Sequence, residues 1–323
     1  MFGPFKSLFA IAMTAAPVPV FQATPEDAAD LRLAAIGYRL ATANVALCTA
    51  RAPVPGLAIH ALSEYDPPVR PAARAKYGFA MPVAVEGVVA ASPAAAAGVQ
   101  ANDALVAVDG APFPTSVTAG PATGADRDAA LQLIASRPAD APLTLTVLRG
   151  GVRRAVTVPA SPGCRTRFMV VIARTMEASA DGTTVAIGTR FFERYTDDQV
   201  AVVVAHELAH NILRHRARLD AAGVKGGMLS ELGRNGRLYR RTESEADLLG
   251  MYLLRNAGYD PQAAVRFWRE HGGDVDGGLF RSRTHPSSSA RAKAIEAAIE
   301  TLPTDAPTPY LPPILSTRDS PLE

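Results

Sequence analysis

The stretch 200-VAVVVAHELAHNIL-213 decides how this chain folds, because it joins an apolar run to two histidines and a glutamate. The run is apolar around almost its whole circumference, which is typical of a helix buried inside a domain. Thr196 and Gln199 form a capping-box pattern just before it and indicate where the helix begins. Because residues four apart on a helix point the same way, the two histidines face one point and the glutamate lies beside it.

The three ionisable residues of this stretch are His206, Glu207 and His210. Ionisable side chains on a buried helix need a partner, because an unpaired buried charge costs several kcal/mol. A catalytic zinc ion is a suitable partner, since it takes three protein ligands and keeps one position open for water. The metzincin pattern is excluded, because the chain has Leu213 and Arg216 where that pattern needs a glycine and a third histidine. The third ligand therefore lies elsewhere.

Two later residues, Glu243 and Asp247, are four apart in a second helical stretch and share one face. Glu243 can supply the third zinc ligand, and Asp247 can accept the outer N–H of a ligand histidine and so fix its tautomer. Glu245 points to another side of this helix, and we interpret it as a solvated charge. His215 is half a turn away from the ligand face of the first helix, which predicts a surface or second-layer position.

These residues resemble a family of gluzincin metalloproteases that includes HtpX, the CaaX prenyl endopeptidases and the periplasmic BepA-like enzymes. Members pair HExxH on one helix with E-x-x-A-D on a later helix. The matching residues are His206, Glu207, His210, Glu243, Ala246 and Asp247. Residues 177–182 resemble the family's strand before the active-site helix, with Glu177 where the family has Asn. Thr284-His285-Pro286 followed by Arg291 resembles its His-Pro-x-x-x-x-Arg element.

The resemblance implies a zinc-dependent endopeptidase. Zinc lowers the pKa of its bound water toward ~7 and polarises the scissile carbonyl, while Glu207 takes the proton of the water and passes it to the leaving amine. His285 or Arg291 can donate to the oxyanion of the tetrahedral intermediate, or His285 can cap the zinc at rest. The alternative is a non-catalytic binding or chaperone protein with a structural zinc, although a structural site does not need Glu207.

Residues 73–160 resemble a bacterial PDZ domain. The matching segments are Val83–Val89, Ser92–Val99 and Asn102–Gly110. We expect the groove helix of this domain at Leu131–Ser136, its carboxylate-binding loop near Tyr77-Gly78-Phe79, and an antiparallel hairpin around Gly150-Gly151. PDZ domains hold an extended peptide on a sheet edge, which predicts capture of unfolded or C-terminal segments. A site-2-type intramembrane protease also joins HExxH to PDZ, but it has the opposite order of the two and places its zinc motif in membrane helices.

The two resemblances imply a multidomain α+β architecture, in which a β-rich PDZ domain interrupts a mainly helical zincin-like metalloprotease domain with a small edge sheet. Residues 24–50 supply the N-terminal helix of the protease domain, and residues 161–300 supply the rest. Cys48 and Cys164, the two cysteines of the chain, lie on either side of the insert, where a disulfide would staple its neck. In a cytosolic chain two free thiols are the alternative.

Both ends of the chain have a distinct composition. Residues 1–23 contain one lysine, a short apolar run and small residues, which is typical of a secretory signal peptide and predicts a periplasmic or secreted protein. Elsewhere no apolar run of about 18 residues is free of charge, so we expect no membrane span in the mature protein. The proline-rich residues 301–323 are expected to be extended or disordered.

The net charge of +2 gives no reason to expect nucleic-acid binding. A local basic cluster lies mostly between the two zinc helices. Its members are Arg214, Arg216, Arg218, Lys225, Arg234, Arg237, Arg240 and Arg241. Peripheral contact with acidic lipid or lipopolysaccharide is one interpretation of this cluster, and a solvated loop is the simpler one.

Overall fold

The computed structural model describes residues 25–224, 233–275 and 286–322. The expected signal peptide at residues 1–23, Lys225 and His285 lie outside the described residues. The helices are α1 (Pro25–Ala43), α2 (Arg70–Tyr77), α3 (Pro93–Ala96), α4 (Ala125–Ala135), α5 (Thr189–Arg194), α6 (Asp197–Ile212), α7 (His215–Ala221), α8 (Gly233–Asn256), α9 (Gln262–Glu270), α10 (Gly272–Val275) and α11 (Ser288–Glu300). The strands are β1 (Arg51–Pro53), β2 (Leu57–Ala61), β3 (Val83–Val88), β4 (Ala104–Val108), β5 (Ala111–Pro112), β6 (Leu143–Arg149), β7 (Val152–Val158), β8 (Pro162–Cys164), β9 (Arg167–Val171), β10 (Ala178–Ala180) and β11 (Thr184–Gly188).

The central helix of a mainly helical domain is α6. Its start carries the predicted capping box, with Thr196 N–H donating to Gln199 Oε1 over 3.1 Å. The apolar residues 200–205 are buried, and α6 packs against α1, α8 and α9. A three-stranded sheet in the order β10-β11-β9 lies beside α6, with β11 antiparallel to β10 and parallel to β9. This mixture of helices and a small sheet agrees with the α+β expectation.

A second core belongs to a β-rich unit whose sheet has the order β2-β3-β4-β6-β7, with β5 beside β4. The antiparallel pairing of β6 with β7, from Leu143 opposite Val158 onward, confirms the predicted hairpin. The sheet begins at Leu57, upstream of the boundary at residue 73 that the sequence pattern indicated. Because β2 pairs with β3 along its whole length, it belongs to this unit despite the helical segment between them.

The loop proposed from the sequence to bind a peptide carboxylate packs against β2. The ring centroids of Tyr77 and Phe79 lie 5.1 and 4.4 Å from that of His60, and Phe79 is buried. The segment that leads directly into β2 is instead Val54-Pro55-Gly56, where Gly56 has a φ of +85°. A glycine adopts this left-handed conformation without the steric penalty of a Cβ.

The β-rich unit is joined to the helical domain through a short neck. Strands β1 and β8 pair antiparallel there, with Arg51 opposite Cys164. A disulfide joins Cys48 to Cys164, whose Cα atoms are 5.4 Å apart, so the bridge expected from the sequence is present in the structure. Helix α1, which we expected at Ala28–Leu47, contacts strands of both units, and its Leu31 lies so close to Gly87 that a Cβ there would overlap with it.

The C-terminal segment differs from the predicted disordered tail. Arg255 donates to the carbonyl oxygens of Ala306 and Pro307, over 2.7 and 3.0 Å, and Leu322 is buried. A 3-10 helix at Pro313–Asp319 lies between these contacts. Prolines cannot donate backbone hydrogen bonds, but their carbonyl groups still accept them, as that of Pro307 does from Arg255. Across the described ranges, no helix combines the length and the apolar composition that crossing a bilayer requires.

Candidate metal centre

Helices α6 and α8 bring His206, His210 and Glu243 together. The two Nε2 atoms of the histidines are 3.1 Å apart, and the Glu243 carboxylate oxygens lie 3.2 Å from His206 Nε2 and 3.5 Å from His210 Nε2. One donor atom from each residue lies within 4.8 Å of the others. The three residues expected from the sequence as zinc ligands therefore converge on one point, and all three lie on the wall of one cleft.

The close approach of the two helices depends on a glycine. Glu243, Asp247 and Gly250 lie on one face of α8, since they are spaced by four and three residues. A Cβ at Gly250 would lie 3.3 Å from both the N and the Cα atom of His206. Such contacts are tighter than ordinary van der Waals distances, so the missing side chain allows α8 to approach the backbone of the ligand helix.

The outer side of His206 is held by an aspartate and an arginine. His206 Nδ1 lies 3.0 Å from Asp247 Oδ1, and a carboxylate can only accept, so Nδ1 carries the proton and Nε2 is left for a metal. Arg291 donates to both oxygens of Asp247 over 2.6 Å, and its Cζ lies 3.3 Å from the centre of the Trp268 ring. Burial alone would raise the pKa of Asp247, but Arg291 and His206 lower it.

This position of Arg291 differs from the oxyanion contact expected from the sequence. Its guanidinium lies behind His206, on the Nδ1 side, whereas an oxyanion would form on the Nε2 side with the converging ligands. Arg291 is buried and engaged by Asp247, so it acts on the site through that carboxylate. His285, the other residue expected to reach the oxyanion, lies outside the described part of the chain.

A second buried group lies behind His210, and it corrects the interpretation of Glu245 as a solvated charge. His215 Nδ1 is 2.9 Å from His210 Nδ1, and His215 Nε2 is 3.1 Å from Glu245 Oε2. Glu245 also accepts from Arg218 over 2.6 Å and from Arg241 over 3.0 Å, and it is buried. Burial favours a higher pKa, but the hydrogen bonds from His215 and Arg218 lower the pKa of Glu245 to about 2.

The donor and acceptor directions of the hydrogen bonds in this group determine the tautomer of His210. The ionised Glu245 can only accept, so His215 Nε2 donates to it and His215 Nδ1 is left as an acceptor. His210 Nδ1 then donates to His215, which leaves His210 Nε2 with a lone pair directed at the converging ligands. His215 and Arg218 lie on one turn of α7, but their common partner Glu245 lies on another helix, so the sequence alone did not indicate this group.

The pKa values of the two ligand histidines are shifted in opposite directions. Burial opposes charge on His206, but hydrogen bonds with Asp247 and Glu243 raise its pKa to about 10. Burial lowers the pKa of His210 to about 3, against the attraction of Glu243. A metal ion bound at the two Nε2 atoms would displace protons from them, because an imidazole ligand must be neutral.

The donor set fits a zinc ion. Ligand atoms that lie about 2.0–2.1 Å from a tetrahedral ion are separated from one another by roughly 3.3 Å. The separations of 3.1, 3.2 and 3.5 Å among His206, His210 and Glu243 match this value. Two imidazoles and one carboxylate are also the ligand set of catalytic zinc sites that keep an open position for water.

The metal centre opens into a cleft of about 550 Å³. Glu207 lies on its wall next to His206, and residues of the edge strand β10 also line the cleft. Asn211, one residue after His210, accepts from Gly182 N over 2.7 Å and donates to Thr184 O over 3.2 Å. The active-site helix therefore holds the turn between β10 and β11 in place. An edge strand beside a metal centre offers backbone groups to an extended peptide.

Comparisons with known proteins agree with this geometry. Residues 228–299 match peptidase family M48, a segment that contains Glu243, Asp247 and Arg291 and begins after the HExxH helix. The chain is 32% identical over 121 residues to the mitochondrial metalloendopeptidase OMA1 of Schizosaccharomyces pombe, covering 31% of this chain and 36% of that protein. It is 31% identical over 122 residues to the mitochondrial metalloendopeptidase OMA1 of Arabidopsis thaliana, covering 32% of this chain and 25% of that protein.

The matched regions thus span between a quarter and just over a third of the length of these curated relatives. The family match and the names of the two relatives support a metalloendopeptidase.

Proposed function

We propose that this chain is a zinc-dependent endopeptidase. The observation that carries the proposal is the convergence of His206, His210 and Glu243 at zinc-ligand separations beside Glu207, in a cleft with an edge strand. A structural zinc site takes four protein ligands, whereas three ligands facing an open cleft leave room for water and substrate. The similarity to peptidase family M48 supports the same class of reaction.

Each residue of the centre has a defined role in this proposal. His206, His210 and Glu243 would hold a zinc ion, which would lower the pKa of a water molecule and polarise a peptide carbonyl. Glu207 accepts the proton of the attacking water and delivers it to the leaving amine. Asp247 and Arg291 hold His206 in the tautomer that exposes Nε2. His215 and Glu245 do the same for His210.

Hydrolysis of unfolded casein by the purified chain tests the proposal. We expect cleavage that is removed by a chelator and restored by Zn²⁺, and a loss of about 10³-fold or more in Glu207→Gln, since a proton-transfer group contributes about 10²–10⁴-fold. Bound zinc is measured in the same samples, and Glu193→Gln, an exposed glutamate, is the matched control. Equal cleavage by Glu207→Gln would refute the role of Glu207. Stoichiometric zinc without cleavage would favour the alternative of a non-catalytic binding or chaperone protein.

We propose further that the β-rich unit is a PDZ domain that captures unfolded or C-terminal protein segments. Strand β2 is at the edge of the sheet and helix α4 packs beside it, which is the arrangement that accepts an added peptide strand. The loop Val54-Pro55-Gly56 leads into β2, and we place the terminal carboxylate there. A labelled peptide with a free C-terminus should bind more tightly than its C-terminal amide. Equal affinity would argue against this carboxylate site.

We also propose that the protein acts outside the cytosol, in the periplasm or as a secreted protein, in quality control of envelope proteins as in BepA-like enzymes. The Cys48–Cys164 disulfide supports an oxidising compartment. Residues 1–30 fused to a reporter enzyme that is active only after export should give activity, whereas a fusion that starts at residue 24 should not. Equal reporter activity from both fusions would refute the signal peptide.

A further inference from the structure

Two cavities of the described structure meet at one turn. The larger, of about 970 Å³, lies between β2 and α4 on one side and α1 and β9 on the other. The smaller is the metal cleft of about 550 Å³. Gly182, in the turn between β10 and β11, lines both of them. The space beside the β-rich unit and the space at the metal centre therefore border on the same turn.

The turn that separates the two cavities is firmly held. Asp181 Oδ1 accepts from the backbone N–H groups of Thr183 and Thr184, each over 2.7 Å. Asn211 binds the turn from below, through Gly182 N and Thr184 O. We call this turn, residues 181–183, the lip. Because Asn211 follows the ligand His210 on α6, the position of the lip is fixed relative to the metal centre.

Both cavities are bordered by strand edges. Among the described strands, β2 pairs only with β3, β9 only with β11, and β10 only with β11. Residues 57–60 of β2 and 167–170 of β9 line the larger cavity, and residues 178–180 of β10 line the cleft. An extended polypeptide can use such edges as an added strand, because they present unpaired backbone donors and acceptors.

An exposed ion pair joins the two units beside the larger cavity. Arg167 on β9 pairs with Asp128 on α4 over 3.2 Å and donates to Thr184 Oγ1 over 3.1 Å. Its side chain and that of Asp128 are 37% and 39% exposed. An exposed ion pair contributes little to stability, so an incoming chain can displace this contact at low cost.

We propose that the larger cavity is an exosite for an extended segment of the same polypeptide that is cleaved at the metal centre, and that the substrate passes over the lip at residues 181–183. This inference rests on the proposed function, because it concerns the substrate of that reaction. It makes the β-rich unit and the metal centre parts of one binding path. Substrates that reach across the lip are then bound by both cavities, and short peptides by the cleft alone.

A pair of fluorogenic peptides tests the path. The short peptide contains about six residues around a bond cleaved in casein, and the long peptide adds about ten residues on each side, which span about 33 Å when extended. We expect kcat/KM to be about tenfold higher for the long peptide, which corresponds to ~1.4 kcal/mol of additional binding free energy. Scrambled extensions of the same composition show how strongly the effect depends on sequence.

Two substitutions in α4 test whether the larger cavity is responsible for the preference for the long peptide. Gln132 lines the larger cavity and has an exposed side chain, so Gln132→Trp fills the cavity with little risk to the fold. We expect this variant to reduce the ratio of kcat/KM for the long peptide to kcat/KM for the short peptide toward one. Ala129→Trp, an exposed position of the same helix that does not line the cavity, is the matched control and should keep the ratio of the unmodified protein.

A second measurement covers the case in which Gln132→Trp does not fold. A photoreactive group in either extension of the long peptide should crosslink the zinc-loaded Glu207→Gln protein within residues 57–60 or 131–135. Cleavage of both peptides with equal kcat/KM, or crosslinks confined to other surfaces, would overturn the exosite and leave the proposed function standing. Absence of cleavage of either peptide would overturn the proposed function and the substrate path together.

Discussion

Asp247 Oδ1 lies 3.0 Å from Nδ1 of His206, on the opposite side of the ring from the Nε2 atom that faces His210. The distance means that the orientation of one ligand is determined by a residue that does not itself reach the metal position. Arg291 donates to the same carboxylate and stacks on the Trp268 ring, so three helices contribute to holding a single imidazole.

Replacing Asp247 with Asn should weaken zinc binding by about 10–100-fold, the usual effect of removing a hydrogen-bond partner from a ligand histidine. The amide can still accept from His206 Nδ1, but it no longer carries the charge that Arg291 pairs with. Competition with a chromogenic chelator measures the affinity. Asp198→Asn, an exposed position on the same ligand helix α6, is the control, and unchanged affinity in Asp247→Asn would contradict the assigned role.

Replacing Glu245 with Gln should lower the free energy of unfolding by about 3 kcal/mol, because it leaves the buried Arg218 without its ion-pair partner. Zinc affinity should fall as well, since an amide can donate or accept and no longer enforces the His215 and His210 tautomers. Urea unfolding and chelator competition measure the two effects. Glu193→Gln serves as the exposed control. A variant with normal stability and normal zinc affinity would rule out this group as a support of His210.

The size of the side chain at position 250 should determine how strongly a substitution changes the stability of the protein. A Cβ would lie 3.3 Å from the His206 backbone, so Gly250→Ala needs a small shift of α8 and should change stability by less than about 1 kcal/mol, as the gain in helix propensity offsets the crowding. Gly250→Val adds two methyl groups at the contact and should cost about 2 kcal/mol or more. Thermal unfolding of both variants checks the order. Equal stability of Val and Ala would show that the helices are not in close contact here.

The carboxyl group of Glu86 should make the stability of the protein depend on pH. Burial, and then the nearby carboxylates of Asp30, Asp27 and Glu64, raise its pKa from 4.5 to about 8. The unfolded chain releases this proton at lower pH than the folded chain, so the contribution of Glu86 to stability is fully present below pH 4.5 and is lost as pH rises through about 8. Glu86→Gln should therefore stabilise the protein by about 2 kcal/mol at pH 9 and by almost nothing at pH 4, allowing for solvent in the cavity.

Thermal unfolding of both proteins at the two pH values measures the difference. A stabilisation of the same size at pH 4 would mean that packing, and not charge, is responsible.

Removing the disulfide should cost up to about 4–5 kcal/mol, since Cys48 and Cys164 are 116 residues apart and a bridge over a long loop strongly restricts the unfolded chain. Cys48→Ser with Cys164→Ser is compared with the oxidised and the reduced parent protein by urea unfolding. The reduced parent and the double variant should agree with each other. If the oxidised protein is no more stable than these two, the bridge does not contribute to folding stability.

The sequence indicated the His/Glu cluster because helical spacing determines which side chains share a face, and the family resemblance paired the two helices. His206, His210, Glu243 and Asp247 were found in this way, as were the capping box at Thr196 and the hairpin of β6 and β7. Each of these depends on residues a few positions apart along the chain. The Cys48–Cys164 bridge was expected because the cysteines flank the insert.

Three other features that depend on partners elsewhere in the chain were not predicted. Glu245 resembles a surface charge until Arg218 and His215 are placed against it from α7. Strand β2 is separated from β3 by a helical segment. The sequence pattern therefore placed the start of the β-rich unit at residue 73, whereas its sheet begins at Leu57. The C-terminal segment has a composition typical of disorder, yet Asn256 binds both the N–H and the carbonyl of Tyr310 and holds it on α8.

The bridge at the neck has a practical consequence for anyone who cuts the protein with trypsin. A single nick anywhere from residue 49 to residue 163 leaves two fragments that stay covalently attached through Cys48 and Cys164. Such a sample would run as an intact chain on a non-reducing gel and separate into two bands after dithiothreitol. Damage to the inserted unit would thus go unnoticed in any purification that is checked without a reductant.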